Sequence, residues 1–247
     1  MTTALEYAAA RKVYSRSHLG RVTRTVGLDG LDLLVEKGEV FGLLGLNGAG
    51  KTTAMKLLLG LLFPTSGNVS VLGVKAGTDT AKRAIGYLPE LPYFYPYFTA
   101  EESVSFYGRL SGMSSAALRD RVPLVLEQVG LAKHAGKRLS EYSKGMLQRV
   151  GVAQAIVHEP DIIVLDEPVS GLDPLAVHDF RELFVSINKT GKTLFLSSHS
   201  ISDVEKLCSR VAILKSGRLA RIVSQDEWQS ASGGLEKIFV DTVREDA

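Results

Sequence analysis

At 247 residues the chain is long enough to bury one sizeable core, or one core with a helical lobe, and leaves nothing over for a second full domain. A formal charge of +2 with 23% charged residues provides no long-range field of the kind that marks nucleic-acid binding. Cys208 is the only cysteine, which excludes an intrachain disulfide and fits a reducing compartment. It falls in the helical pattern Val204, Leu207, Cys208 and reads as a small core residue. No apolar run approaches the roughly 18 to 20 residues of a membrane span, the longest being Leu57 to Phe63. MTTALEYAAARK lacks the ordered charged, apolar and cleavage regions of a secretory signal. The expectation is a chain that neither crosses a bilayer nor carries a leader, linker or repeat.

From Met1 to about Val40 the pattern is short and β-like, punctuated by Gly20, Gly27, Gly30 and Gly38, which predicts antiparallel strands. Val40 to Leu44 is a continuous apolar strand that runs into a glycine loop, and Lys51 to Leu62 follows as a helix. Gly67 to Leu72 and Arg83 to Leu88 read as two more strands, separated by a polar turn at Gly77 to Thr80. Between about Pro92 and Gly151 helical periodicity replaces β alternation. Thr99 with Glu102 is a capping box, starting a helix that reaches Leu110. Ser114 to Val129 is a second helix, which Pro123 is expected to kink or split by removing an internal hydrogen bond, and Gly130 stops it. Asp161 to Leu165 and Lys192 to Ser197 alternate with helical segments 144 to 158 and 174 to 189, the pattern of a parallel sheet covered by helices. Asp173 before Pro174 marks a helix start. Val211 to Lys215 and Arg218 to Val223 form a closing hairpin around Ser216 and Gly217, and Ser224 to Ala247 reads as a helical tail.

A triphosphate needs many aligned donors at short range. GLNGAGKTT, from Gly45 to Thr53, supplies them. Gly45, Gly48 and Gly50 keep the backbone open to approach, and the amides from Asn47 to Thr53 cradle the β- and γ-phosphates at a helix N-terminus. Lys51 adds a point charge, Thr52 a Mg²⁺ ligand, and Leu46 and Ala49 belong to the same nucleotide-binding loop. The bland alternative, a glycine-rich turn with an exposed lysine, is disfavoured by the strand before it and the helix after it. Ile162 to Leu165 is a buried strand that delivers Asp166 and Glu167 at its carboxyl end, where ligands of open α/β sheets bind. His18, His134, His158 and His178 fall in loop-like or polar helical settings without metal spacing and read as solvated.

YSKGMLQR from Tyr142, IIVLDEP from Ile162 and SGLD ending at Asp173 follow in that order, and with the upstream GLNGAGKTT they resemble the ATP-binding cassette family of ATPases nearly end to end. The resemblance implies an α/β fold with a P-loop NTPase (RecA-like) core and an N-terminal antiparallel β subdomain, over about residues 1–91 and 152–223. An inserted α-helical subdomain would cover about 92–151 and a C-terminal helical tail about 224–247. It further implies that Asp166 holds Mg²⁺, usually through water, and that Glu167 polarises the attacking water as general base. His199, at the end of LFLSS, resembles the switch histidine that contacts the γ-phosphate and helps orient the water. Tyr14 in RKVYS matches the aromatic residue on which adenine stacks, although the stretch to Lys51 is longer than the family's through an insertion around Ser15 to Thr23.

Ser143, Lys144 and Gly145 open a helix whose N-terminus is an anion site, with unpaired amides, a favourable dipole and a hydroxyl. In the resembled family this site binds the γ-phosphate of the nucleotide on the opposite subunit, so two chains sandwich two ATP molecules head to tail. Asp173 is counted with these nucleotide-contacting residues; taken alone, Ser143 is an ordinary N-cap. Where the commonest family form reads LSGGQ, this chain reads YSKGM, so Met146 lacks an amide for the ribose and Lys144 adds a cation near the phosphates. Glu90 in YLPELPYFYP replaces the usual glutamine and can coordinate Mg²⁺, but offers no donor to the water. Both departures resemble the export-type branch. Tyr93, Phe94, Tyr95, Tyr97 and Phe98 cluster in a chain only 7% aromatic, which suits either a docking groove for a membrane subunit or the packing of the insert on the core.

The reading is an ATP-hydrolysing subunit of a membrane transporter, an exporter using ATP and Mg²⁺. Its partners would be a second copy of itself or a homologous cassette, and a separately encoded transmembrane permease that holds it at the cytoplasmic face of the membrane; no nucleic acid is expected. The rival is a soluble cassette ATPase acting on ribosomes or DNA, whose relatives join two cassettes or carry long coiled coils or zinc sites. A binding module with a dead site is opposed by the joint presence of Lys51, Asp166, Glu167 and His199. Selectivity would lie in the membrane subunit, so drug, polysaccharide, lipid, ion and protein export stay open alike.

Overall fold

The computed structural model describes residues 2–18 and 21–244, so Gly20 of the sequence reading lies outside the described residues. The first half carries strands β1 (Thr3–His18), β2 (Arg21–Glu36) and β3 (Val40–Gly45), helix α1 (Lys51–Leu58), strands β4 (Ser66–Val71) and β5 (Val74–Lys75), helix α2 (Asp79–Arg83), strand β6 (Ile85–Leu88), and helices α3 (Ala100–Leu110) and α4 (Ser115–Gln128). The second half adds α5 (Lys144–Ile156), β7 (Ile162–Asp166), α6 (Pro174–Lys189), β8 (Thr193–Ser198), α7 (Ile201–Leu207), β9 (Arg210–Lys215), β10 (Arg218–Ser224), α8 (Gln225–Ser230) and α9 (Gly234–Arg244). These elements form two compact units, one up to Lys82 and from Thr193 onward, the other Arg83–Lys192.

In the first unit, β2, β1, β4 and β5 make an antiparallel sheet in that order. Beside it, β8, β3 and β9 run parallel, with β10 antiparallel to β9. Every residue of β3 and β8 is buried, as a strand covered on both faces requires, which explains the unbroken apolar sequence of β3 and the apolar centre Leu194–Leu196 of β8. β4 accompanies β1 only as far as Arg11; beyond it β1 and β2 continue as a two-stranded ribbon to the His18–Arg21 pair. A bulge at Ala9 (φ 46°) is satisfied by Asp32, whose Oδ1 accepts from the Ala9 amide at 2.7 Å. The buried Tyr7 hydroxyl donates to the Ala54 carbonyl at 3.0 Å, tying β1 to α1. Helix α1 ends at Leu58 rather than at Leu62: Gly60 takes φ 68°, and the Leu61 and Leu62 amides turn back to the Lys56 carbonyl. Cys208 is buried just past α7, and helices α8 and α9 follow Ser224.

In the second unit β6 and β7 pair in parallel from Ile85–Ile162 to Leu88–Leu165. A Cβ on Gly86 would lie 1.9 Å from the Ala155 carbonyl oxygen, so α5 packs on β6 at backbone distance. The Thr99 capping box is complete, the Glu102 amide donating to Thr99 at 3.1 Å and the Thr99 amide to Glu102 at 2.9 Å. Of the kink or split expected at Pro123, the split does not occur: α4 passes through Pro123 as a single helix. Pro123 and Arg119, whose carbonyl loses its helical partner, are both exposed, a setting in which solvent can take up the missing bond. Gly130 (φ 75°) follows its end. Asp173 caps α6 by accepting from the Ala176 amide at 2.9 Å, with Pro174 in the first helical position.

Candidate functional site

The loop between β3 and α1 carries three glycines that answer two different needs. A Cβ on Gly48 (φ 83°) would meet nothing within 4 Å, so this residue does keep an approach open. A Cβ on Gly45 would lie 2.7 Å from the Leu214 carbonyl oxygen, and one on Gly50 (φ 110°) would lie 2.7 Å from that of Gly27. The expectation that all three open the loop is thereby corrected, because Gly45 and Gly50 are small for backbone packing. Lys51 is buried, and its ammonium donates to the carbonyls of Gly45 at 2.7 Å and Leu46 at 3.4 Å, which seats the charge within the loop. Leu46, Asn47 and Gly48 are exposed, whereas Ala49 is buried. The Ala54 amide returns to Gly50 at 2.9 Å, so the Lys51, Thr52 and Thr53 amides precede that helical bond at the positive end of α1.

Tyr14 stands against this helix, its hydroxyl 3.1 Å from Thr53 Oγ1 and its ring against Gly27, where a Cβ would lie 2.6 Å from Cε2. The β9–β10 turn supports the loop from behind: the Gly217 amide donates to Ala49 at 3.0 Å and its carbonyl accepts from Asp29 at 2.8 Å. Arg218 and Arg11 close on Asp29 at 2.6 and 3.0 Å and hold its carboxyl below the usual carboxylate range, the Arg218 hydrogen bonds being the larger cause. The sequence showed Gly217 only as a turn residue; this support depends on contacts with distant segments. Ser198 lies opposite Leu44, so the exposed His199 leaves β8 at the end where β3 enters the loop.

In the second unit, Leu88 lies opposite Leu165, which brings Glu90 and Asp166 out at the same end of the β6–β7 pair. Glu90 is exposed; Asp166 and Glu167 are half-buried. Tyr87, passed over in the sequence, has its hydroxyl pushed up to about 12, by burial first and the Asp166 charge second. Glu167 adopts φ 48°, a strained region for a residue with a side chain. Ser143 caps α5, accepting from the Met146 amide at 3.3 Å. Lys144 donates to the Ser170 carbonyl at 2.8 Å, and the buried Gln148 donates to that of Pro168 at 2.9 Å. Gly145 is half-buried and Asp173 exposed.

His158 departs from its solvated reading: it is half-buried, its Nε2 lies 3.1 Å from the Ile85 carbonyl, and burial lowers its pKa. His178 is exposed, and the His18 side chain lies outside the described residues. The aromatic cluster divides: Phe94 packs edge-on to Tyr107 and Phe98 to Phe106, with ring centroids 5.9 and 6.0 Å apart. Tyr93 and Tyr97 are 84% and 62% exposed. Among the described residues no three His, Cys, Asp or Glu side chains gather into a metal cluster. Thr52 in the first unit, and Glu90 and Asp166 in the second, each carry the oxygen donor type taken by Mg²⁺, a hard cation that otherwise keeps waters and phosphate oxygens.

A buried strand, a glycine loop that seats a lysine and a helix beginning directly behind it define a P-loop nucleotide-binding protein. The ABC transporter family model matches residues 28–170, and the chain belongs to this family of ATP-binding cassettes. It is 47% identical to an uncharacterized ABC transporter ATP-binding protein of Nostoc sp., over 88% of this chain and 65% of that protein. It is 38% identical to Nod factor export ATP-binding protein I of Cupriavidus metallidurans, over 88% of this chain and 70% of that one. The chain thus spans less than two thirds of the length of the Nostoc relative. A dimeric structure of a post-hydrolysis state of the ATP-binding cassette MJ0796, bound to ADP and Pi, matches with a TM-score of 0.79 at 25% identity, covering 90% of this chain and 98% of that one. No helix among the described residues is long and apolar enough to cross a membrane.

Proposed function

We propose that this chain binds ATP with Mg²⁺ and hydrolyses it to drive a membrane transporter of the export type. The amides from Asn47 to Thr53 and the Lys51 ammonium hold the β- and γ-phosphates, with Gly45, Leu46, Gly48, Ala49 and Gly50 shaping the loop, while Tyr14 stacks on adenine. Thr52, Glu90 and Asp166 hold Mg²⁺, which when bound neutralises phosphate charge. Glu167 takes the proton of a water that attacks the γ-phosphorus; the bond to the β–γ bridging oxygen breaks, leaving ADP and phosphate, and His199 orients that water. Ser143, Gly145 and Asp173 meet the nucleotide of a second cassette in a head-to-tail dimer, while the Lys144 ammonium stays with the Ser170 carbonyl of its own chain. A separate permease holds the pair at the cytoplasmic face of the membrane.

The observation that carries this reading is Lys51 seated in the loop directly before α1, in a chain of this family. Likeness to a Nod factor export protein supports export, and the dimeric cassette bound to ADP and Pi supports paired action in hydrolysis. These relatives give the ribosome or DNA reading no support. Lys51→Ala is expected to lose ATP affinity, whereas Glu167→Gln should bind ATP and hydrolyse it very slowly. In the Glu167→Gln chain, sedimentation should show an ATP-dependent dimer that Ser143→Arg abolishes. Equal loss of ATP binding in Lys51→Ala and Glu167→Gln contradicts the assignment.

A further inference from the structure

We propose that Lys144 and Gln148 are positioning residues that hold the segment from Glu167 to Asp173, and so link contact at the start of α5 to the placement of the general base. The proposal rests on the nucleotide reading above. Spaced four apart, the two side chains share one helix face, and they grip alternate carbonyls of one segment. Gln148 holds Pro168 at 2.9 Å and Lys144 holds Ser170 at 2.8 Å. Between these anchors the segment is tightly turned, with the Ser170 amide donating to Glu167 at 3.1 Å and the Leu172 amide to Val169 at 3.3 Å.

Gly171 (φ 66°) makes room for the grip, since a Cβ there would lie 2.4 Å from Lys144 Nζ. Asp173 is pinned at the far end as the cap of α6. Glu167, at φ 48°, therefore begins a segment fastened at three points, two of them from the first turns of α5. Ser143, the residue that would meet the other cassette's phosphate, is the cap of that same helix. Movement of the cap reaches Glu167 through Lys144 and Ser170. Lys144 is thus assigned to this chain's own catalytic segment, where the sequence suggested a phosphate contact.

The test compares Lys144→Ala, Lys144→Arg and Gln148→Ala in the full chain with ATP. For Lys144→Ala, kcat is expected to fall about tenfold with KM within about twofold, the signature of a misplaced catalytic group. Lys144→Arg, which keeps a cationic donor, should recover most of the rate. In the Glu167→Gln background, ATP-driven dimerisation should stay within about twofold when Lys144 is removed. Without nucleotide, hydrogen exchange at the Ser170 and Leu172 amides should rise in Lys144→Ala, a readout that survives failure of the nucleotide reading itself. Weakened dimerisation with normal kcat would identify a phosphate contact and overturn the proposal, as would unchanged exchange. Gln148 is buried and its removal risks the fold, which melting detects; the exposed Lys144 carries the test independently.

Discussion

Gly48→Ala and Gly50→Ala change the same loop by the same methyl group, yet their effects should diverge. At either site the positive φ costs an alanine about 1–2 kcal/mol, offset by about 0.4–1 kcal/mol through a stiffer unfolded chain. For Gly48 nothing lies within 4 Å of the new Cβ, so the net loss should be about 1 kcal/mol. At Gly50 the methyl would stand 2.7 Å from the Gly27 carbonyl oxygen and 3.0 Å from Leu28 Cδ2, where an ordinary contact is 3.4 Å or more. Relief requires backbone movement at β2, an overpacking cost of about 1–3 kcal/mol. In a chain of this size about 1 kcal/mol shifts Tm by roughly 2–4 °C, so Gly48→Ala should melt a few degrees low and Gly50→Ala roughly 5–15 °C low. Titration with a fluorescent ATP analogue should show the opposite emphasis for Gly48→Ala: a methyl in the phosphate approach is expected to weaken binding at least about tenfold, or ~1.4 kcal/mol. Equal melting losses, or full ATP affinity in Gly48→Ala, would refute the division of roles.

Burial raises the pKa of Tyr7 and Cys208, and burial with the Asp166 charge raises Tyr87 to about 12. The folded state therefore keeps protons that the unfolded chain has lost, so this stability is whole below about pH 9 and declines as pH rises toward 12. Urea unfolding at pH 8 and pH 10.5 should show the decline, Tyr87→Phe should lessen it, and a flat profile would contradict the burial argument. Tyr93→Ser removes an exposed ring and should change stability by no more than about 0.5 kcal/mol, whereas Tyr97→Ser, which also loses ring contacts to Phe98 and Tyr95 at 5.2 and 5.7 Å, should cost about 1 kcal/mol. If these rings anchor the permease, each should contribute about 2 kcal/mol to its attachment, measured by co-purification; ready unfolding or normal assembly would end that assignment.

Much of the architecture was legible because its signals are local. The apolar runs Val40–Leu44 of β3, Ile162–Leu165 of β7 and Leu194–Leu196 of β8 announce buried strands, and Thr99 and Asp173 announce helix starts through bonds made within one turn. The same locality made the phosphate loop legible, since strand, glycines, Lys51 and helix are contiguous. The split allowed for at Pro123 does not occur, for a complementary reason: local geometry predicts a lost hydrogen bond, but in an exposed setting that loss need not end the helix.

The sequence by itself therefore determined the main strands and helices, the family, and the residue types offered to a nucleotide, but neither β5 nor α2, which forms where a polar turn was expected. Only the tertiary structure decided which glycines guard space and which fill it, because Gly45 and Gly50 meet Leu214 and Gly27. It alone turned Lys144 and Gln148 toward Ser170 and Pro168, and gave His158 the Ile85 carbonyl. Those partners lie about 20 to 170 residues away along the chain, beyond the reach of any periodicity or cap. Packing brings them within hydrogen-bond or van der Waals range, and at that range a single methyl or donor settles the outcome.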